Sequence, residues 1–135
     1  MILVGLQVVP LPALALGEAA VDEAQSAGLD SVWLPDHLMA NMAESVWPDI
    51  GNIAALSPSP HIWLDPMPVI AVWAQRAQQL RFGTAITDTF RRPPAVVAAT
   101  ALTLSHLTEG RFVLGIGAGG ALLARLLAGQ TVSRP

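Results

Sequence analysis

Three groups of residues in this 135-residue chain have types and spacings that could do chemistry. Asp36 and His37 are adjacent. An imidazole that titrates near neutrality can give or take a proton, and a neighbouring carboxylate can set its charge and orientation. Thr87 and Asp88 offer a hydroxyl and a carboxylate to a ligand edge, and Arg91-Arg92 just beyond them could hold an anion. The run Gly115-Ile116-Gly117-Ala118-Gly119-Gly120 contains G-x-G-x-x-G, whose glycines would let backbone N–H groups approach a phosphate or a ring. Each group has a plainer use to set beside this one: a hydrogen-bonded structural histidine, solvated arginines, and glycines that allow close packing at a strand end. His61 lies in a proline-rich stretch and His106 near a helix C-terminus, where a cation is favourable. Both are read as structural, and three histidines without repeated spacing make no metal motif.

The elements that must position these groups alternate. Ile2 to Val9 is a near-continuous apolar run, the pattern of a parallel strand buried on both faces. A helix follows from about Leu16 to Ala27, stopped by Gly28. Ser31 to Leu34 is a short strand that runs into Pro35-Asp36-His37, and Met39 to Pro68 reads as a long loop. Met67 to Gln79 is a helix and Leu80 to Thr87 a strand. The third helix opens at Pro93 or Pro94, where proline suits the first turn, and runs to Leu107. Thr108-Glu109-Gly110 turns the chain into a strand from Arg111 to Gly117, and Ala121 to Leu127 is a short helix.

Alternation at this spacing predicts an α/β fold of four parallel strands with crossover helices. Doubly wound sheets and (β/α)8 barrels both fit, and both place chemistry at strand C-terminal ends. Those ends are Gln7–Pro10, Asp36–His37, Thr87–Thr89 and Gly117–Gly120. The glycine run sits after the fourth strand rather than the first, and no acid follows Glu109. A dinucleotide fingerprint needs the opposite on both counts.

Composition narrows the class. Hydrophobic residues make up 53% of the chain and charged residues 13%, so much of it must be buried. The apolar run from Ile2 to Leu16 is broken by Gln7, Pro10 and Pro12 and is shorter than the ~20 residues of a membrane span. No Lys or Arg precedes Arg76, which argues against a signal peptide, and no cysteine is present for a disulfide or thiolate site. A cytoplasmic protein is the expectation. Residues 1–75 carry a formal charge of −8 and residues 76–135 carry +5. Arg76, Arg81, Arg91, Arg92 and Arg111 cluster where an anionic ligand would be drawn, or else snorkel from element ends. They are too few, with too little aromatic interleaving, for a nucleic-acid surface.

The run TDTFRRPPAVVAATALTLSHLTEGRFVLGIGAG, with GLQVVP and AGLDSVWLPDHL earlier in the chain, resembles the luciferase-like monooxygenase superfamily. Within it the chain is most similar to the branch that uses the 5-deazaflavin coenzyme F420, and there to the phthiodiolone ketoreductase-like group. The resemblance covers about residues 1–119 and implies the N-terminal half of a (β/α)8 TIM barrel, with 120–135 a divergent or truncated tail. It implies that His37 exchanges a proton with the substrate oxygen and that Asp36 orients it. Ala85-Ile86 would form a bulge supporting the cofactor ring, often through a non-proline cis peptide. Thr87 would lie near the ring edge, and Gly117, Ala118 and Gly119 would touch the cofactor through their backbone. The implied reaction is hydride transfer between coenzyme F420 and a carbonyl or alcohol carbon of a small-molecule substrate.

Two other readings stand beside that one, an FMN-dependent monooxygenase and an inactive truncated fragment. The family's pattern is broken where a glutamate commonly follows the glycines, here Gly120, and where some members carry an aromatic, here Asn41. Four strands of an eight-stranded barrel leave open edges. Self-association and weak cofactor binding are therefore expected of the isolated chain.

Overall fold

The computed structural model describes residues 2–38 and 43–118. The tail from residue 119, including Gly119, Gly120 and the helix expected at 121–127, lies outside them, as does Asn41. Strands β1 (Gly5–Gln7), β2 (Ser31–Leu34), β3 (Arg81–Thr84) and β5 (Phe112–Val113) form one parallel sheet in the order β1-β2-β3-β5. The strand order follows the chain order with no reversal, so the described sheet has no topological switch point. This is the winding of a barrel wall. Two short strands, β4 (Thr87–Asp88) and β6 (Ile116–Gly117), pair in parallel beyond the ends of β3 and β5.

Helices α1 (Leu14–Ser26), α2 (Pro66–Arg76) and α3 (Pro94–Leu107) pack on one face of the sheet. The residues that alternate toward that face are Leu6 and Val8, Val32 and Leu34, Phe82, and Phe112. They meet Val21 and Ala24 of α1, Ile70, Trp73 and Ala74 of α2, and Leu104 of α3. Full burial of a side chain such as Phe82 or Ile70 is worth about 1.5–3 kcal/mol. The alternate residues Gly5, Gln7, Ser31, Trp33, Gly83 and Val113 line the other face, which would be the barrel interior. Trp33 crosses two glycines there: a Cβ at Gly5 or Gly83 would come within 2.8 Å of its ring atoms.

Each helix boundary has a local cause. Gly28 has φ +72°, a left-handed value that glycine adopts without steric cost. Leu29 N–H then bonds the Ala24 carbonyl, closing α1. Asp65 caps α2 by accepting the Met67 N–H at 3.0 Å, with Pro66 in the first turn. Pro93-Pro94 opens α3 in the expected way.

Three expectations need correction. The Ile2–Val9 run is not buried on both faces: β1 spans three residues at the sheet edge, and Ile2, Leu3 and Val4 are exposed. The 39–68 stretch is not plain loop. It holds a 3-10 helix from Glu44 to Leu56, kinked at Ile50-Gly51, where Gly51 takes φ +63°. The third and fourth strands are each interrupted, giving β3/β4 and β5/β6.

Candidate active site

The interruption of β3 falls at Ala85-Ile86, whose peptide bond is cis. Ala85 N–H still reaches the Leu34 carbonyl at 2.8 Å, and Thr87 N–H reaches Gly115 at 2.9 Å. The Thr84 hydroxyl donates to the Gly115 carbonyl at 2.8 Å and accepts its N–H at 3.0 Å. The carboxyl-terminal ends of β2, β4 and β6 are thereby drawn to one rim. Gly115 and Gly117 serve this close approach: a Cβ at 115 would lie 2.0 Å from the Thr84 carbonyl oxygen, and one at 117 would lie 2.2 Å from Ile86 Cδ1. The packing use of these glycines is therefore visible in the structure.

Below the rim, five charged residues hold one another. The Asp36 side chain is only 1% exposed. Its Oδ2 accepts the Thr87 hydroxyl at 2.7 Å, and its carboxylate pairs with Arg91 at 2.9 Å and Arg92 at 3.3 Å. Arg91 Nη2 also donates to the Asp36 backbone carbonyl at 2.6 Å. Arg91 Nε bonds Asp88, whose Oδ1 accepts the backbone N–H groups of Phe90 and Arg91 at 2.8 Å each. Arg92 reaches Asp65 at 2.9 and 3.0 Å. Two neighbouring arginines of the β4–α3 loop thus tie together the β2 end, the β4 end and the first turn of α2. Their fork geometry suits this bridging.

Burial alone would raise the Asp65 carboxyl. The hydrogen bonds from Arg92 and from Met67 N–H outweigh it and hold the group below the usual carboxylate range. Burial likewise opposes ionisation of Asp88, and the Arg91 guanidinium with the two backbone donors reverses the sign. The hydrogen bond to Asp65 pushes Arg92 upward.

His37, one residue beyond Asp36, is exposed. Its ring meets Trp63 edge-on, with centroids 5.1 Å apart and planes at 72°. Trp63 donates its indole N–H to the Pro60 carbonyl at 2.7 Å, which fixes the surface against which the imidazole rests.

The residues singled out from sequence therefore divide. His37, Ile86 and Ala118 are exposed at the rim, and Ala85 is half-buried beside them. Asp36 does not orient His37 through its carboxylate, which is occupied by Thr87, Arg91 and Arg92. Thr87 is fully buried and gives its hydroxyl to Asp36 rather than to a ligand edge. The arginine pair holds the protein's own carboxylates. Arg76 pairs with Glu18 and Asp22, while Arg111 caps α2 by donating to the carbonyls of Ala74, Ala77 and Leu80. Two participants were missed. Asp65 was legible as an acid before proline at a helix start. Trp63 carried no signal in the sequence.

The sequence profile of the luciferase-like monooxygenase family matches residues 8–135. The chain belongs to that family. It is 42% identical over 94 residues to a phthiodiolone/phenolphthiodiolone dimycocerosates ketoreductase of Mycobacterium sp. (strain JLS), covering 67% of this chain and 25% of that protein. It is 37% identical over 108 residues to an F420-dependent glucose-6-phosphate dehydrogenase of Amycolatopsis mediterranei (strain U-32), covering 79% and 28%.

Among solved structures, the oxygenating constituent of 3,6-diketocamphane monooxygenase from Pseudomonas putida, in complex with FMN, superposes with a TM-score of 0.69 at 26% identity. The match covers 96% of this chain and 33% of that one. The F420-dependent tetrahydromethanopterin reductase of Methanopyrus kandleri shares the fold, with a TM-score of 0.64 at 19% identity over 93% of this chain and 29% of that one. This luciferase-like chain thus spans about a quarter to a third of the length of the relatives it matches.

Proposed function

We propose that this luciferase-like chain carries the proton-handling part of an F420-dependent oxidoreductase acting on a carbonyl or alcohol substrate. The observation that supports this most is the division of labour at the rim. His37 is exposed, while Asp36, Asp88, Arg91 and Arg92 are engaged with one another beneath it. Among the described residues, His37 is then the exposed imidazole at the rim that can meet a substrate oxygen.

Bound deazaflavin would supply the carbon that gives or takes the hydride. Ile86 is 42% exposed and seated against Gly117, and with Ala85 and Ala118 it offers an apolar ledge suited to the face of a planar ring. Gly119, expected to extend that ledge, lies outside the described residues. His37 donates a proton to the oxygen when a carbonyl is reduced and accepts one when an alcohol is oxidised. Asp36 acts at one remove. It fixes the backbone that carries His37, and is a positioning residue.

Two relatives named for ketone reduction and for F420 dependence support the F420 reading. The FMN complex favours the alternative, a flavin monooxygenase on the same ledge. Among the described residues no helix is long and apolar enough to cross a membrane. The exposed Ile2, Leu3 and Val4, which lead into the edge strand β1, support self-association through open strand edges.

The test is oxidation of reduced F420 by an aliphatic ketone, with the full chain and its His37→Gln variant. The expected result is ketone-dependent turnover by the full chain, and a loss of about 100-fold or more in the variant. Turnover with reduced FMN and oxygen alone would favour the monooxygenase. A folded chain inert with both cofactors would be the inactive fragment.

A further inference from the structure

The contact between His37 and Trp63 is held from several directions. His37 is exposed, and an exposed side chain ordinarily turns among its rotamers within nanoseconds. Here one side of the imidazole meets an indole edge-on, with ring centroids 5.1 Å apart. The indole is itself fixed. Its N–H is given to the Pro60 carbonyl at 2.7 Å, and the backbone N–H of Leu64 is given to the Pro10 carbonyl at 2.9 Å, beyond the end of β1. Asp65, the next residue, caps α2 and accepts from Arg92 at 2.9 and 3.0 Å. The same guanidinium reaches Asp36, the residue before His37, at 3.3 Å. Arg92 therefore ties the backbone that carries the imidazole to the backbone that carries the indole.

We infer that Trp63 is a positioning residue: it fixes the direction in which His37 presents its imidazole, and Arg92 holds Trp63 in place against His37. The Asp36 carboxylate does not do this, because it is spent on Thr87, Arg91 and Arg92. An indole suits the task. Aromatic pairs of this kind favour edge-to-face geometry, so the contact selects among imidazole orientations. With its single N–H given to Pro60, the indole competes for no proton of the imidazole. Orientation of a proton donor acts on the rate of the chemical step more than on substrate affinity. The role in turnover rests on His37 as the group that meets the substrate oxygen, but the positioning itself is tested without turnover.

The experiment compares the full chain with Trp63→Leu, Trp63→Phe and Arg92→Lys, each checked for an unchanged far-UV spectrum. The first readout is proton NMR at about pH 9, where an imidazole is neutral, with no cofactor present. The His37 ring-proton signals are identified by their loss in His37→Gln. The indole ring current should displace them from free-imidazole positions in the wild type. The displacement should vanish in Trp63→Leu, persist in Trp63→Phe, and shrink in Arg92→Lys, whose ammonium cannot fork between two carboxylates. The second readout is ketone reduction by reduced F420. There kcat should fall about tenfold in Trp63→Leu with KM unchanged, and Trp63→Phe should recover most of the loss. Identical His37 signals in the wild type and Trp63→Leu overturn the inference, as does Trp63→Leu turning over like the wild type. An undiminished displacement in Arg92→Lys overturns the part given to Arg92. Displaced His37 signals in a chain inert with both F420 and FMN would uphold the positioning and remove the proposed function instead.

Discussion

Replacing Asp36 by asparagine should be among the most damaging near-isosteric changes in this protein. The substitution keeps the shape and removes the charge from a side chain that is 1% exposed and is touched by two guanidinium groups and a hydroxyl. Removing one partner of a buried ion pair typically costs 3–5 kcal/mol, because the other charge is left uncompensated. Here Arg91 keeps Asp88 and Arg92 keeps Asp65, which places the expected loss at the lower end, about 3 kcal/mol. With a urea slope of about 1.5 kcal/mol per molar, the midpoint should fall by about 2 M.

The natural comparison is Asp22→Asn. Its pair with Arg76 is half exposed on both sides and should be nearly silent. Tryptophan fluorescence and far-UV circular dichroism report both transitions. Thr87→Val provides an independent reading, since it deletes the 2.7 Å hydrogen bond to Asp36 and should cost about 1–2 kcal/mol, less once Asp36 is already asparagine. Equal losses for Asp36→Asn and Asp22→Asn would refute the clamp, and strictly additive Asp36 and Thr87 variants would refute their coupling.

Two further outcomes follow from the same geometry. Gly115→Ala would set a Cβ 2.0 Å from the Thr84 carbonyl oxygen, a backbone atom that cannot swing aside. It should cost about 1–3 kcal/mol and lower the thermal midpoint, whereas Ala at the open Ala118 position exchanged for Ser should be neutral. In acid, Asp65 and Asp88 have pKa values held below the unfolded aspartate value of about 3.9. The unfolded chain therefore takes up protons first. The stability they supply is fully present above about pH 4 and is lost as pH falls through their lower folded values. Urea midpoints measured from pH 6 to pH 3 should drop, and Asp65→Asn with Asp88→Asn should flatten the drop.

The alternation of apolar runs and helices was legible because parallel strands packed under helices need side chains of one kind at period two and another near period four. The rim was legible because strand C-termini in such folds converge, and Asp36, His37, Ile86 and Gly117 all lie at strand ends. The pairing of charges was not. Whether Arg91 and Arg92 face a ligand or the protein depends on where Asp36 and Asp65 arrive, and those lie 55 and 27 residues away from Arg91 and Arg92 respectively. Burial of β1 was misjudged for a related reason. An apolar run records what the strand is fit to be packed against, not whether a neighbour is there. The 3-10 helix was hidden by Pro48 and Gly51, which in isolation signal loop.

The central claim is that the ledge at Ala85–Ile86 and the imidazole of His37 serve deazaflavin chemistry. Competitive binding of coenzyme F420 and FMN to the full chain, read by quenching of cofactor fluorescence, tests it most directly. The account predicts weak but selective binding, with F420 preferred at least tenfold and the preference insensitive to His37→Gln. FMN binding as tightly as F420, or more tightly, would contradict it.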